Sequence, residues 1–251
     1  MTAAEVCFDA PRSARPPALR LFCFPYAGGS AAVFRDWQSS LPAAIEVCAV
    51  ELPGHGKRVR ERLCRSIDQI VASVLPCVEQ YLDAPYAFFG HSMGALIAFE
   101  LTRALENGNA APAHLFVAGR RAPHLPRRER SIDDMDESSF NNELRRLDGT
   151  PQEVLESPEL MQLISPILRA DFGLCDSFPS CPLPALCTPM TAMGGLQDRE
   201  IARDDLAAWR QHTTGSFSVS MLAGNHFFIN SSRQEILGLI VRHLAKSGIL
   251  G

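Results

Sequence analysis

Tyr86-Ala87-Phe88-Phe89-Gly90-His91-Ser92-Met93-Gly94-Ala95-Leu96-Ile97-Ala98-Phe99-Glu100-Leu101 is the stretch on which the reading of this chain turns. The residues before Gly90 are a short apolar run of strand type, and those from Ala95 onward have the composition of a buried helix. Between them stands a G-x-S-x-G pentapeptide. A serine hydroxyl is a weak nucleophile unless it is held clear of its own backbone and beside a base, and a sharp strand-to-helix turn holds it so. The flanking glycines follow from the same turn, because a side chain at 90 or 94 would collide with the neighbouring strand and helix. The pentapeptide alone is moderately specific; its strand-turn-helix setting is what gives it weight.

Such a turn demands a base and a carboxylate, following the serine in the order Ser, Asp or Glu, His. Asp198 ends the run Thr191-Ala192-Met193-Gly194-Gly195-Leu196-Gln197, as expected of an acid on the loop after a strand. His226 follows Phe217-Ser218-Val219-Ser220-Met221-Leu222 and the turn Ala223-Gly224-Asn225. In an open parallel sheet the carboxyl ends of the strands form one rim, which brings such residues within reach of one another. An acid after Gly-Gly is ordinarily a turn residue and a lone histidine ordinarily a surface or core one. Three such residues in the required order outweigh those readings. Asp171 and Asp176 lie in a segment of helix and loop character and rank below Asp198 as the orienting acid. His91 should point away from the reacting face and pack under the turn, and His55 is expected to be a loop residue.

Acyl chemistry also needs two donors for an oxyanion. One is the N–H after the nucleophile, here Met93, and the other comes from the loop after an early strand. Pro25-Tyr26-Ala27-Gly28-Gly29-Ser30 follows the apolar run Leu21-Phe22-Cys23-Phe24 and is rich in small residues. Ala27 is the expected second donor, with Tyr26 and Gly28 as its neighbours.

Five ordered motifs now converge. Phe24-Pro25-Tyr26-Ala27-Gly28-Gly29-Ser30, Glu51-Leu52-Pro53-Gly54, Gly90-His91-Ser92-Met93-Gly94-Ala95, Arg169-Ala170-Asp171 and Gly224-Asn225-His226-Phe227-Phe228 together resemble the type II thioesterases of polyketide and nonribosomal peptide synthesis. The likeness runs from about Leu19 to about Leu244. It implies an α/β-hydrolase fold, with a mostly parallel central sheet flanked by helices and a helical lid. It also implies the substrate, an acyl group on the phosphopantetheine arm of an acyl or peptidyl carrier protein, removed when it stalls a synthase. Three places depart from the family pattern: Gly-Gly-His-Phe-Phe reads Gly224-Asn225-His226, Gly-Gly-Thr-Pro reads Asp148-Gly149-Thr150-Pro151, and Pro53-Gly54 is followed by His55-Gly56-Lys57-Arg58 instead of an arginine-glutamate pair. The site residues expected are therefore Ser92, Asp198 and His226 for catalysis and Ala27 and Met93 for the oxyanion. The alternatives are a small-molecule carboxylesterase, an acyltransferase or cyclase that excludes water, and a non-catalytic protein that keeps the scaffold as a ligand cup.

Composition fits a single enzyme domain. The chain has 251 residues, 46% of them hydrophobic, and a formal net charge of -4, so nothing in it argues for nucleic acid. No run approaches the roughly 20 apolar residues of a membrane span, and residues 1–18, rich in Ala, Pro and Arg, lack a signal-peptide core; they read as a disordered leader to a domain over 19–251. A cytoplasmic monomer without a cofactor of its own is the expectation. The eight cysteines are scattered and form no C-x-x-C, so reduced thiols and no metal site are expected.

Strand-like runs at Leu19 to Phe24, Ile45 to Leu52, Tyr86 to Phe89, His114 to Gly119, Thr191 to Gly194 and Phe217 to Leu222 alternate with helical patterns, the clearest being Ser66 to Leu82 and Arg233 to Leu244. Between Gly119 and Thr191 the alternation stops. Thr150-Pro151 and Ser157-Pro158 mark helix starts there, and prolines divide the segment into short helices. A lid over about 123–184 follows, with Leu155, Leu160, Met161, Leu163, Ile164, Ile167, Leu168 and Phe172 as its greasy inner surface. Arg120, Arg121, Arg127, Arg128 and Arg130 form one basic cluster and Lys57, Arg58, Arg60, Arg62 and Arg65 another, both after strand ends. They suit the phosphate of the pantetheine arm or an acidic carrier surface, with ordinary solvated surface as the plain alternative. Tyr26, Arg120, Arg121, Met161, Leu163 and Phe172 are thus the candidate substrate and carrier contacts.

Overall fold

The structure, a computed structural model, describes residues 7–8, 16–126, 132, 135–180 and 183–250. Six strands, β1 (Leu19–Phe24), β2 (Ile45–Ala49), β3 (Tyr86–His91), β4 (Leu115–Ala118), β5 (Met190–Gly195) and β6 (Phe217–Leu222), form one sheet in the order β2-β1-β3-β4-β5-β6. Every pairing is parallel. The principal helices are α1 (Ile67–Glu79), α2 (Met93–Asn107), α3 (Glu137–Leu147), α4 (Gln152–Leu155), α5 (Pro158–Ser177) and α6 (Arg233–Lys246).

Both faces of the sheet are covered, as a parallel sheet requires. Phe22, Phe24, Phe88, Leu115 and Val117 pack with α1 and α2 on one face. Leu21, Cys23, Phe89 and Phe116 pack with Ile236, Leu237, Ile240 and Leu244 of α6 on the other. Alternation of side chains along each strand therefore sets which helix meets which residue. At α1 the Ser66 hydroxyl accepts from Gln69 N at 3.3 Å, the first half of a capping box, but the Gln69 side chain reaches Arg65 N at 2.7 Å instead of the Ser66 N–H.

Four expectations need correction. Residues 1–18 are not all leader: Phe8 is 3% exposed and bridges Val50 beyond β2, and Cys7 is bonded to Cys77 of α1, so these two cysteines are not reduced thiols. The cause is local, since two apolar side chains there find an open flank of the core; residues 1–6 and 9–15 lie outside the described residues. β2 stops at Ala49, because Val50 turns to that bridge. Pro166 does not divide the helical segment: α5 runs through that proline for 20 residues, held by the buried Leu168, Ala170, Asp171 and Leu174 and by Arg169 stacked on Phe140 at 4.0 Å. Finally, Pro151 is the cap of α4 and not its first residue, whereas Pro158 does open α5 behind a Ser157 cap.

Among the described residues no strand lies between β4 and β5, where α3, α4 and α5 stand. No helix among them is long and apolar enough to cross a membrane.

Candidate active site

The turn from β3 to α2 carries Ser92 at φ 53°, ψ −111°, outside the basins an L-residue ordinarily uses. Its neighbours force that conformation. A Cβ on Gly90 would stand 2.1 Å from the Gly94 carbonyl oxygen, and one on Gly94 would stand 2.2 Å from that of Phe24. Ser92 N donates to Ala118 O at 2.8 Å, which ties the elbow to β4. The strain is sustained because strand, helix and neighbouring strand all over-determine it.

Asp198 and His226 meet at this rim. His226 Nδ1 and Asp198 Oδ2 are 2.8 Å apart, with the Asp198 side chain fully buried. The other carboxylate oxygen accepts from Glu200 N at 2.8 Å and Ile201 N at 3.2 Å, so the acid is fixed by its own loop after β5. That arrangement puts the proton of His226 on Nδ1 and leaves Nε2 as the acceptor. Ser92 and His226 line the same cavity. His91 lies under the turn as expected, fully buried, with Nε2 2.9 Å from the His226 carbonyl oxygen.

The loop after β1 commits its N–H groups one by one. Gly29 N donates to Tyr26 O at 2.9 Å and Gly28 N to Asp171 Oδ2 at 2.7 Å, which leaves Ala27 beside the cavity. Met93 N lies at the start of α2, where the helix dipole favours negative charge. Two further groups support this region and were not assigned from sequence. Glu51, 3% exposed, accepts from Ala31 N at 3.1 Å and Lys57 N at 3.2 Å. His55 is buried with Nε2 2.9 Å from Asp171 Oδ2. Asp171 therefore serves His55 and Gly28, not His226, and Asp176 accepts from Ile132 N at 3.1 Å. The signal for all this was the presence of Glu51 and Asp171 inside motifs that the three catalytic candidates left unexplained.

The cavity has a volume of about 520 Å³ and runs from Ser92 under α3, α4 and α5. Tyr26, Arg120, Arg121 and Phe172 line it, together with Ile164, Ile167 and Leu168. Two expected contacts are elsewhere. Leu163 is 69% exposed, and Met161 packs with Ile132, Phe140, Leu144 and Leu168 inside the helical segment; the α5 residues that line the cavity are Ile164, Ile167, Leu168, Phe172, Cys175 and Asp176. Of the basic residues, Arg58 is only 8% exposed and tied to Glu61 and Ser73, and Arg121 is paired with Asp205 at 3.4 Å, so neither is a loose surface charge. Arg127, Arg128 and Arg130 lie outside the described residues. The helical segment also touches the His226 loop. A Cβ on Gly149 would come within 2.2 Å of the Phe227 ring, and Asn225 Nδ2 donates to Asp148 Oδ2 at 3.3 Å.

A parallel sheet with a strained serine between strand and helix, and an Asp-His pair on the same rim, defines an α/β-hydrolase of the serine type. The thioesterase domain family matches residues 19–246, and the chain belongs to that family; it is a hydrolase acting on thioesters. It is 42% identical to the linear gramicidin dehydrogenase LgrE of Brevibacillus parabrevis, over 88% of this chain and 85% of that protein. Identity to the gramicidin S biosynthesis protein GrsT of Aneurinibacillus migulanus is also 42%, over 90% and 89%. Among solved structures, the type II thioesterase BorB from the borrelidin biosynthetic cluster superposes with a TM-score of 0.86 at 34% identity, covering 95% of this chain and 98% of that one.

Proposed function

We propose that the chain is an editing thioesterase that releases acyl groups from the phosphopantetheine arm of a carrier protein in polyketide or nonribosomal peptide synthesis. Ser92 Oγ attacks the thioester carbonyl carbon while His226 Nε2 takes its proton. The tetrahedral oxyanion rests on the N–H groups of Met93 and Ala27. Collapse breaks the carbon–sulfur bond, and the thiolate leaves with the proton held by His226. Water then loses a proton to His226 as it attacks the acyl-serine, and a second collapse returns that proton to Ser92 and frees the acid. Asp198 keeps His226 in the tautomer that each step needs. The observation that carries this reading is the Asp198–His226 hydrogen bond at 2.8 Å on a cavity that also holds the strained Ser92.

The greasy cavity wall suits an acyl chain, and Arg120 beside it suits the acidic parts of a carrier-borne arm. The arm belongs to the partner, so the reading assigns the protein no cofactor of its own. LgrE has dehydrogenase in its name, but here the loop after β1 lacks the G-x-G-x-x-G spacing of a dinucleotide site. The test is to compare hydrolysis of one acyl group presented on a carrier protein, on coenzyme A and as an oxygen ester. Preference for the carrier substrate supports the reading, and preference for the oxygen ester would replace it with a small-molecule carboxylesterase.

A further inference from the structure

Asp171 is 1% exposed, and a carboxylate so far from water must be supplied with donors. Among the described residues two donors meet the same oxygen, Oδ2: Gly28 N at 2.7 Å and His55 Nε2 at 2.9 Å. The other nitrogen of His55, Nδ1, lies 3.0 Å from the Pro53 carbonyl oxygen. A carbonyl oxygen can only accept, and so can a carboxylate, so His55 donates from both nitrogens and stands as an imidazolium. Burial alone would lower its pKa; the hydrogen bond and charge of Asp171, with help from Pro53 and the charge of Glu51, raise it instead.

The same helix reaches the same loop a second time. A Cβ on Gly28, which sits at φ +75°, would come within 2.5 Å of Leu168 Cδ2, one turn before Asp171 on α5. Leu168 and Phe172 line the cavity beneath the acyl chain's expected course. The wall of the acyl pocket and the clamp on the Gly28 N–H are therefore one piece of helix.

We propose that Asp171 is a positioning residue of the oxyanion loop, through which α5 fixes where the Ala27 N–H stands. It does not touch the reacting atoms. By holding Gly28 N it prevents that N–H from competing for the oxyanion and sets the peptide plane before it, so that acyl chains pressing on Leu168 and Phe172 are felt at the loop. The inference rests on the reading above, in which Ser92 forms an acyl-enzyme.

The test is steady-state kinetics of Asp171→Asn, with active sites counted by a fluorophosphonate that labels Ser92 and an acyl-N-acetylcysteamine thioester as substrate. We expect kcat per labelled site to fall about 10- to 100-fold with KM within about twofold, as for a misplaced but present oxyanion donor. The wild type should also lose kcat as pH rises through the elevated His55 pKa, and the variant should lack that alkaline limb. His55→Asn removes the charged partner that holds Asp171 Oδ2 on Gly28 N, and it serves as the test if Asp171→Asn does not fold: a lowered kcat per labelled site supports the proposal, and an unchanged one overturns it. Unchanged kcat per labelled site in the folded variant, with only a lower melting temperature, would overturn it and leave Asp171 a structural strut. Absence of fluorophosphonate labelling in the wild type would instead defeat the reading of Ser92 as nucleophile, so the two failures are distinct.

Discussion

His91 holds the backbone of His226: its Nε2 donates to the His226 carbonyl oxygen at 2.9 Å. The residue next to Ser92 on the elbow thus fixes the residue proposed as base, although the two are 135 positions apart. Burial, assisted by the nearby charge of His226, drives the His91 pKa well below the ordinary histidine range. The ring is neutral, its proton sits on Nε2, and its buried Nδ1 has no hydrogen-bond partner among the described residues. The unpaired nitrogen marks a ring kept for its other contact.

His91→Leu should therefore leave the His226 carbonyl without its donor, at a cost of about 1 to 3 kcal/mol. The expected outcome is a lower melting temperature together with a lower kcat and little change in KM. Thermal melts and kinetics on the same preparation check it. A variant as active as wild type would show that His226 does not depend on this support.

Ser92→Ala should lose turnover by about 10⁴ to 10⁶ and keep its fold, and Asp198→Asn should come close to it. Alanine keeps the Cβ that makes a φ of 53° costly, whereas glycine adopts that φ without the steric penalty. Ser92→Gly should then be more stable than Ser92→Ala by about 1 kcal/mol, although equally inactive. Calorimetry of the two dead variants side by side reads that difference directly. Equal stabilities would mean that the elbow stores no strain.

Ile164→Trp should shrink the cavity and depress turnover of long acyl chains more than acetyl or propionyl turnover. The effect should be graded, since one methylene in a hydrophobic pocket is worth ~1 to 3 kcal/mol. Leu163→Trp, one residue away but facing solvent, should leave the chain-length profile unchanged. Profiles over a series of acyl thioesters decide between the two. A shift from the residue 163 change and not from the residue 164 change would reverse the assignment of the cavity face of α5.

Acid should destabilise the fold through its buried histidines. Burial, then the charge of His243, lowers the His114 pKa to about 3; burial, then the charges of His124 and Arg103, lowers that of His212 to about 4. Both start from an ordinary value of 6.5. Below pH 6.5 the unfolded chain takes up protons that the folded chain refuses, so stability falls as pH drops toward 4. His55 works the opposite way, because its raised pKa favours the fold at low pH and that contribution fades as pH rises through it. Melting temperature against pH for wild type, His114→Gln and His212→Gln should show a shallower acid slope in both variants.

The sequence carried the sheet because β1, β3 and β4 are short, mostly apolar runs and β6 alternates, and their neighbours in space only extend that pattern. The elbow was legible for a different reason. Its chemistry demands glycine where the backbone crowds, and Gly90 and Gly94 meet Gly94 O and Phe24 O as that demand implies. What escaped were features decided by distant partners. Neither Met161 nor Leu163 announces which way it faces on a helix that is apolar over much of its surface, and Pro166 reads as a breaker until the burial of α5 on both sides of it is known. The Cys7–Cys77 pairing spans 70 positions and follows no spacing rule. Asp171 looked like a lesser candidate for the role of Asp198 because sequence shows a carboxylate without showing what it faces.

Asp148 and Asn225 stand at two of the three places where the motifs depart from the family pattern they resemble, and they are bonded to each other. Asp148 sits at φ 57°, a conformation that suits the glycine of that pattern, so an aspartate there bears a local penalty that its contact with Asn225 offsets. Together the two side chains fasten the end of α3 to the residue before His226. A lineage that carries one should carry the other, and grafting either residue singly into a relative should not reproduce what the pair does here.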